Sequence, residues 1–205
     1  IQEIREVTDW QKPIYCKIGA SRPQYDVPLC VKAGADVIVL DGMQGGTAAT
    51  PEVFIEHVGI PTLPAIRQAV AALKDMDMHR EVQLIVSGGI RSGADVAKAL
   101  ALGADAVSIG VGAMIALGCN KPVYEEDYAA LGTAPGFCHH CHTGACPVGI
   151  ATQDPALEAR LDPERGGRLV RNYLSALVLE VQTIARANGK SYIRNLEAED
   201  LVALT

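Results

Sequence analysis

Four thiols stand in one stretch of the chain, as Cys119 and then Cys138-x2-Cys141-x4-Cys146-Pro147, with His139, His140 and His142 interleaved. Thiolates spaced this closely can converge on one metal centre, and in a reducing compartment that use is commoner than disulfide bonding. A structural zinc site needs four ligands, and His142 or Cys119 would complete three thiolates. An iron–sulfur cluster also takes thiolates at short spacing, and a proline directly after the last ligand recurs in such sites. Spacing alone leaves both open, with unliganded thiols as a third reading. The three histidines read more simply as exposed loop residues or as donors behind the ligands.

Two glycine loops, Ser87-Gly88-Gly89 and Gly110-Val111-Gly112, each close an apolar run. Glycine after a strand is often only a tight turn, but two such loops in succession let backbone amides approach a phosphate. A third loop, Asp41-Gly42-Met43-Gln44-Gly45-Gly46-Thr47, is glycine-dense enough for a flat ring to lie against backbone, or is a plain surface loop. Lys17 ends a buried run, and a charge there more often serves a ligand than a fold.

The elements that must position these residues are short apolar runs separated by helical patterns. Pro13–Gly19, Ala35–Gly42, Val82–Gly89 and Ala106–Gly112 read as strands buried on both faces. Helices are expected over about 25–33, stopped by Gly34, from Leu63 to Leu73 with Thr62 as N-cap, and over 90–102, closed by Gly103. Lys32-Ala-Gly-Ala-Asp-Val-Ile-Val-Leu-Asp-Gly42 is echoed by Ala101-Leu-Gly-Ala-Asp-Ala-Val-Ser-Ile-Gly110. Repeated βα units imply a parallel α/β architecture. No G-x-G-x-x-G fingerprint follows the first strand of a pair, and the glycine loops sit where a barrel holds phosphate. The expected fold is therefore the C-terminal half, strands 5–8, of a (β/α)8 TIM barrel over residues 1–118. A cysteine-rich segment (119–150) and a helical extension (151–205) follow, with a long helix over about 167–187 and a short one from about Asn195.

With 18 Lys+Arg against 24 Asp+Glu in 205 residues, the net charge is −6, which argues against a nucleic-acid partner. No run of eighteen apolar residues spans a membrane and no signal peptide opens the chain, so a cytoplasmic protein is expected. The first residue is Ile1, and the expectation is a C-terminal part of something longer.

These residues resemble the synthase domain of glutamate synthase, a barrel holding FMN beside an iron–sulfur cluster. Val82–Gly112 is similar to its last two FMN-binding strands, Asp41–Pro51 to its G-x-D-G-G-T-G-A-S-P loop, and Cys141-His-Thr-Gly-Ala-Cys146-Pro-Val-Gly149 to its C-H-T-N-N-C-P-V-G motif. The resemblance implies that Ser87, Gly88, Gly89, Gly110, Val111 and Gly112 hold the FMN phosphate. It implies that Lys17 lies near the flavin, and that Asp41, Gly42, Gly45, Gly46 and Thr47 line the ring and substrate face. Ile115-Ala-Leu-Gly-Cys119 matches the family's first ligand segment, so Cys119, Cys141 and Cys146 are implied ligands of a [3Fe–4S] cluster.

Three departures separate this chain from the family pattern. The insertion Asn120–His140 brings Cys138, and four thiolates suit a [4Fe–4S] cluster. Met43-Gln44 replaces His-Asp, making Gln44 a candidate catalytic residue beside Lys17. Pro61-Thr62-Leu63-Pro64-Ala65 replaces P-W-E-L-G, removing a coupling glutamate. These features resemble the smaller multi-subunit relatives, among them N-methylglutamate synthase, which makes N-methylglutamate from glutamate and methylamine and releases ammonia. The alternatives are ordinary glutamate synthesis from 2-oxoglutarate and ammonia, an electron-transfer flavin/iron–sulfur subunit, and a zinc-stabilised aldolase-type barrel without flavin. The resemblance also implies a hetero-oligomer with a glutaminase-like subunit.

Overall fold

Each apolar run becomes a strand shorter than the run itself in the computed structural model, which describes residues 1–45 and 50–203. In chain order the elements are α1 (Gln2–Val7), β1 (Tyr15–Gly19), α2 (Pro23–Lys32), β2 (Val37–Asp41), α3 (Glu52–His57), α4 (Thr62–Asp75), β3 (Gln83–Ser87), α5 (Gly93–Ala101), β4 (Ala106–Ser108), α6 (Val111–Leu117), α7 (Glu125–Ala130), α8 (Pro155–Glu158) and α9 (Pro163–Ala187). The four strands form one parallel sheet in the order β1-β2-β3-β4. Ile38, Leu40, Leu84 and Val86 pack with Val27 of α2 and Ile66 and Leu73 of α4 in the main core. Each such side chain, fully buried, contributes about 1.5–3 kcal/mol.

The echoed Gly-Ala-Asp has a physical meaning in both places. Gly34 and Gly103 end their helices at φ +90° and +107°, where a side chain would be strained. The acid that follows reaches back to the preceding strand. Asp36 Oδ2 accepts the Ile14 N–H at 2.6 Å and Asp105 Oδ2 accepts the Leu84 N–H at 2.8 Å. Each acid also holds an arginine, Arg5 at 2.7 Å and Arg80 at 3.5 Å. One short sequence phrase thus stops a helix and pins the next strand beside its neighbour.

Several expectations need correction. β1 is not buried on both faces in this chain: Tyr15, Lys17 and Gly19 are exposed on one face, while Cys16 and Ile18 on the other pack against the main core. Thr62 is not the N-cap of α4 but its first residue, after Pro61. Helix α5 starts later than expected, because Ser92 and Asp95 form a capping box. The long helix starts earlier, at Pro163, where Asp162 accepts the Arg165 N–H at 3.0 Å. The terminal helix from about Asn195 is replaced by two 3-10 turns, Ile193–Asn195 and Ala198–Asp200. No helix among the described residues is long and apolar enough to cross a membrane.

Candidate active site

Strand register stacks the inner-face residues in rows, since side chains alternate along a strand. Lys17 lies level with Val39, Ile85 and Ala106, and the next row, at the carboxyl ends, is Gly19, Asp41, Ser87 and Ser108. Gly19 has no side chain and no atom within 4 Å of where one would begin. The Lys17 ammonium reaches the row above it and meets Asp41 Oδ2 at 3.1 Å. Ser87 Oγ donates to the other oxygen, Oδ1, at 2.6 Å. The Asp41 carboxylate is therefore held from both sides.

Above this row lies a cleft of about 250 Å³, lined by Lys17, Asp41, Gln44, Ser87, Arg91 and Ser108 and by the glycines Gly45, Gly88, Gly89, Gly110 and Gly112. Gly88 and Gly89 are consecutive residues at φ +101° and +76°. A Cβ on Gly88 would lie 2.7 Å from the Gly42 carbonyl oxygen, so the two loops touch backbone to backbone. A Cβ on Gly110 would meet nothing within 4 Å and would project into open space. Helix α9 supports this rim from behind. Its Glu180 accepts the Gly93 N–H at 2.7 Å and its Tyr173 hydroxyl donates to the Arg91 carbonyl at 2.8 Å.

Gln44 is placed differently from a free catalytic side chain. Its Oε1 accepts the backbone N–H of Thr62 at 2.8 Å and lies 3.0 Å from the Thr62 hydroxyl. Pro61, the N-cap residue, offers no side-chain cap, so Gln44 caps α4 from another loop. The Thr62 hydroxyl also reaches the carbonyls of Ser87 and Gly88, at 3.2 and 2.7 Å. Gly46 and Thr47, singled out from the sequence, lie outside the described residues.

A larger cavity of about 540 Å³ shares Gln44, Gly45, Gly110 and Val111 with the cleft and runs past Met43, Met114 and Ile115 to Cys119, Cys138 and Cys141. The cysteine segment is thus a neighbour of the glycine loops in space. Cys146 is buried, Cys119 and Cys138 are half-buried and Cys141 is exposed. Burial raises the Cys119 thiol, and Cys141, Cys146 and Cys138 raise it further. Burial likewise raises Cys141, reinforced by Cys138 and Cys146. Among the described residues, no three His, Cys, Asp or Glu side chains are grouped to hold a single metal ion.

Two residues fix this segment. The Tyr128 hydroxyl donates to the Cys119 carbonyl, and burial, with the four thiols, pushes its pKa up to about 12. Arg160 donates to the Pro147 carbonyl at 2.8 Å and pairs with Asp127 at 3.1 Å. The rings of His139 and His140 stack at 4.6 Å, and the buried His140 Nε2 has no hydrogen-bond partner among the described residues. His142 is exposed, as the sequence suggested.

Sequence reasoning missed Arg91, Ser108, Thr62 and Tyr128. Arg91 had a readable signal, since it follows the Gly88-Gly89 pair by two positions and lands at the same cleft. Tyr128 had none, because its partner Cys119 is contacted through backbone.

The family model described as the conserved region in glutamate synthase matches residues 1–191. The chain is 65% identical over 205 residues to the glutamate synthase large subunit-like protein of Rhizobium meliloti, covering 100% of this chain and 46% of that relative. It is 42% identical over 198 residues to the archaeal glutamate synthase (NADPH) of Methanocaldococcus jannaschii, covering 96% of this chain and 36% of that one. It therefore spans less than half the length of these two relatives. Among solved structures, a flavocytochrome b2 variant with benzoylformate is similar with TM-score 0.61 at 21% identity, covering 100% of this chain and 38% of that one. A mandelate oxidase variant is similar at TM-score 0.50 and 24% identity, covering 91% and 40%. These likenesses concern the fold: the four parallel βα units are part of a (β/α)8 barrel. The family match runs along residues 1–191 of the 205, and the chain belongs to the glutamate synthase family.

Proposed function

We propose that the cleft at the strand ends holds FMN and that the chain is the synthase segment of an enzyme that forms N-methylglutamate from glutamate and methylamine with release of ammonia. The observation that carries the flavin reading is the cleft itself. Two consecutive left-handed glycines bare their backbone, Gly110 leaves open space where any side chain would intrude, and Arg91 brings a cation to the same rim. Amides of Gly88, Gly89, Gly110, Val111 and Gly112, with Arg91, would hold the phosphate, and Lys17 and Asp41 would face the ring. When bound, FMN supplies two-electron hydride chemistry.

The chain's own residues bind and orient. Lys17 places positive charge where negative charge on a carboxylate or reduced ring needs it, and Asp41, held by Ser87, fixes the ammonium. Methylamine replaces ammonia on glutamate without net oxidation or reduction, so turnover needs no external reductant. The Met43-Gln44 loop supports this reading, since it departs from the family's His-Asp. A second reading, reductive amination of 2-oxoglutarate by ammonia, is favoured by the 42% identity to an archaeal glutamate synthase.

We further propose an iron–sulfur cluster on Cys119, Cys141 and Cys146, [3Fe–4S] with these three ligands and [4Fe–4S] with Cys138 as the fourth. What supports this reading is the donor type and placement: four thiols in one segment, of which Cys119, Cys138 and Cys141 line one cavity. A glutaminase-like subunit and further chains are the proposed partners, in the cytoplasm.

The test is anaerobic purification of the full-length protein, its absorption spectrum, and flavin, iron and zinc quantified on one sample. Flavin with iron supports the reading; zinc without flavin overturns it. Glutamate and methylamine are then supplied without reductant. Formation of N-methylglutamate supports the methylamine reaction, and strict dependence on reductant transfers the function to 2-oxoglutarate.

A further inference from the structure

Gln44 lines both the polar cleft and the more apolar cavity beside it. The identity of its two head-group atoms is decided by chemistry. A backbone N–H can only donate, and the Thr62 N–H points at Gln44 from 2.8 Å, so the atom facing it is the carbonyl oxygen. The N–H2 therefore occupies the other arm of the head group. The Gln44 stem runs close to Gly89, where an added Cβ would lie 2.9 Å from the Gln44 Cβ, so only glycine fits beside it.

The surroundings define what such a donor would meet. On one side stand Lys17 and Asp41, already paired with each other. On the other stand Met43, Met114 and Ile115. A short aliphatic chain ending in a carboxylate matches a polar wall facing an apolar one, and its carboxylate needs a donor that is not already committed.

We propose that Thr62 sets the polarity of Gln44, so that the Gln44 N–H2 donates to a carboxylate oxygen of the amino- or oxo-acid substrate. Thr62 is a positioning residue in this scheme, and Gln44 reads the ligand. The inference rests on the synthase reading above.

Two variants separate substrate reading from a structural role. Gln44→Glu keeps an oxygen for Thr62, and so keeps the cap on α4, but presents an acceptor and a negative charge to the ligand. Gln44→Met loses both cap and donor. In the full-length holoenzyme, binding of 2-oxoglutarate and L-glutamate is titrated anaerobically by the change in flavin absorbance, with flavin content measured beside it. Expected dissociation constants rise about 30-fold or more in Gln44→Glu and about 5–10-fold in Gln44→Met, with flavin content unchanged. Thr62→Val keeps the backbone N–H that orients Gln44 and is expected to change binding less than threefold, whereas Thr62→Pro removes that N–H at the first helical position, where proline is tolerated, and is expected to weaken binding while adding little on Gln44→Glu. A purely structural residue gives the reverse order, Gln44→Met being the worse, and that order overturns the proposal. Loss of flavin from Gln44→Glu with unchanged ligand affinity also overturns it, by assigning the donor to the cofactor. Absence of flavin from the wild-type protein is a different failure, that of the synthase reading itself.

Discussion

Replacing Gly88 and Gly110 by alanine in turn separates what the glycine loops do for the fold from what they do for the ligand. At Gly88 the backbone stands at φ +101°, and an L-residue held in left-handed conformation costs about 1–2 kcal/mol. The new Cβ would also lie 2.7 Å from the Gly42 carbonyl oxygen and 2.9 Å from the Thr62 hydroxyl. Neither neighbour is the free end of a flexible chain, so the contact adds an overpacking cost of about 1–3 kcal/mol. Together the loss is about 2–5 kcal/mol, which for a chain of this size lowers Tm by roughly 10 °C. At Gly110 φ is −105° and nothing lies within 4 Å of a new Cβ, so stability should barely change. Gly110 lines the cleft, however, and flavin affinity should fall about 10-fold or more, as expected when a group is forced against a close-packed ligand. The assay is thermal unfolding of the flavin-free full-length protein, which removes the stabilisation that ligand binding itself supplies. Flavin rebinding is then followed by fluorescence quenching. An unchanged Tm for Gly88→Ala would refute the backbone contact between the two loops, and undiminished flavin affinity for Gly110→Ala would refute the placement of the phosphate.

Three other outcomes follow from single side chains. Arg5 and the Ile14 N–H hold the Asp36 carboxyl below the usual aspartate range, so its stabilisation is present above that range and lost as pH falls through the lowered value. Urea midpoints from neutral to acid pH should converge for wild type and Asp36→Asn at the acid end, with a neutral-pH difference of about 1 kcal/mol or less because the carboxylate is partly exposed. Burial, with the hydrogen bond that the Cys30 S–H makes to Cys16 at 3.4 Å, pushes the Cys30 thiol up to about 11, so Cys30 should resist iodoacetamide at pH 8 in the native protein and react in urea, as read by mass spectrometry. Lys17→Met should keep flavin content but lower kcat/KM about 100-fold, measured by steady-state kinetics on the holoenzyme; a change below threefold would remove Lys17 from the reaction.

Much of the barrel was readable because its signals are local. An apolar run, a glycine able to take positive φ and an acid just after it suffice to place β2 and β4, and the structure gives that acid a backbone N–H to accept. Burial of β1 was misread because it depends on what packs against the sheet's inner face, which no run of residues encodes. Helix starts shifted wherever a side chain decided them, as at Ser92 with Asp95 and at Asp162. The rim contacts of Glu180 and Tyr173 were illegible for a different reason. They join α9 to residues more than eighty positions earlier, and nothing near either end announces the partner.

Position along the strands explains why chemistry gathers at one end of the sheet. At the amino ends, Asp36 and Asp105 are used up by a backbone N–H and an arginine each, so their charge is neutralised and their lone pairs engaged. At the carboxyl ends the comparable acid, Asp41, is held among the described residues by Lys17 and Ser87, both of which line the same cleft. A ligand entering there competes for groups whose partners are themselves part of the site, so binding exchanges contacts rather than breaking the fold. The glycine loops make that exchange possible, since they bring backbone donors to the cleft without filling it. The pairing of βα repeats with diverging loops therefore separates the two demands: repeated acids at one end hold the sheet together, and unrepeated residues at the other remain available to a ligand.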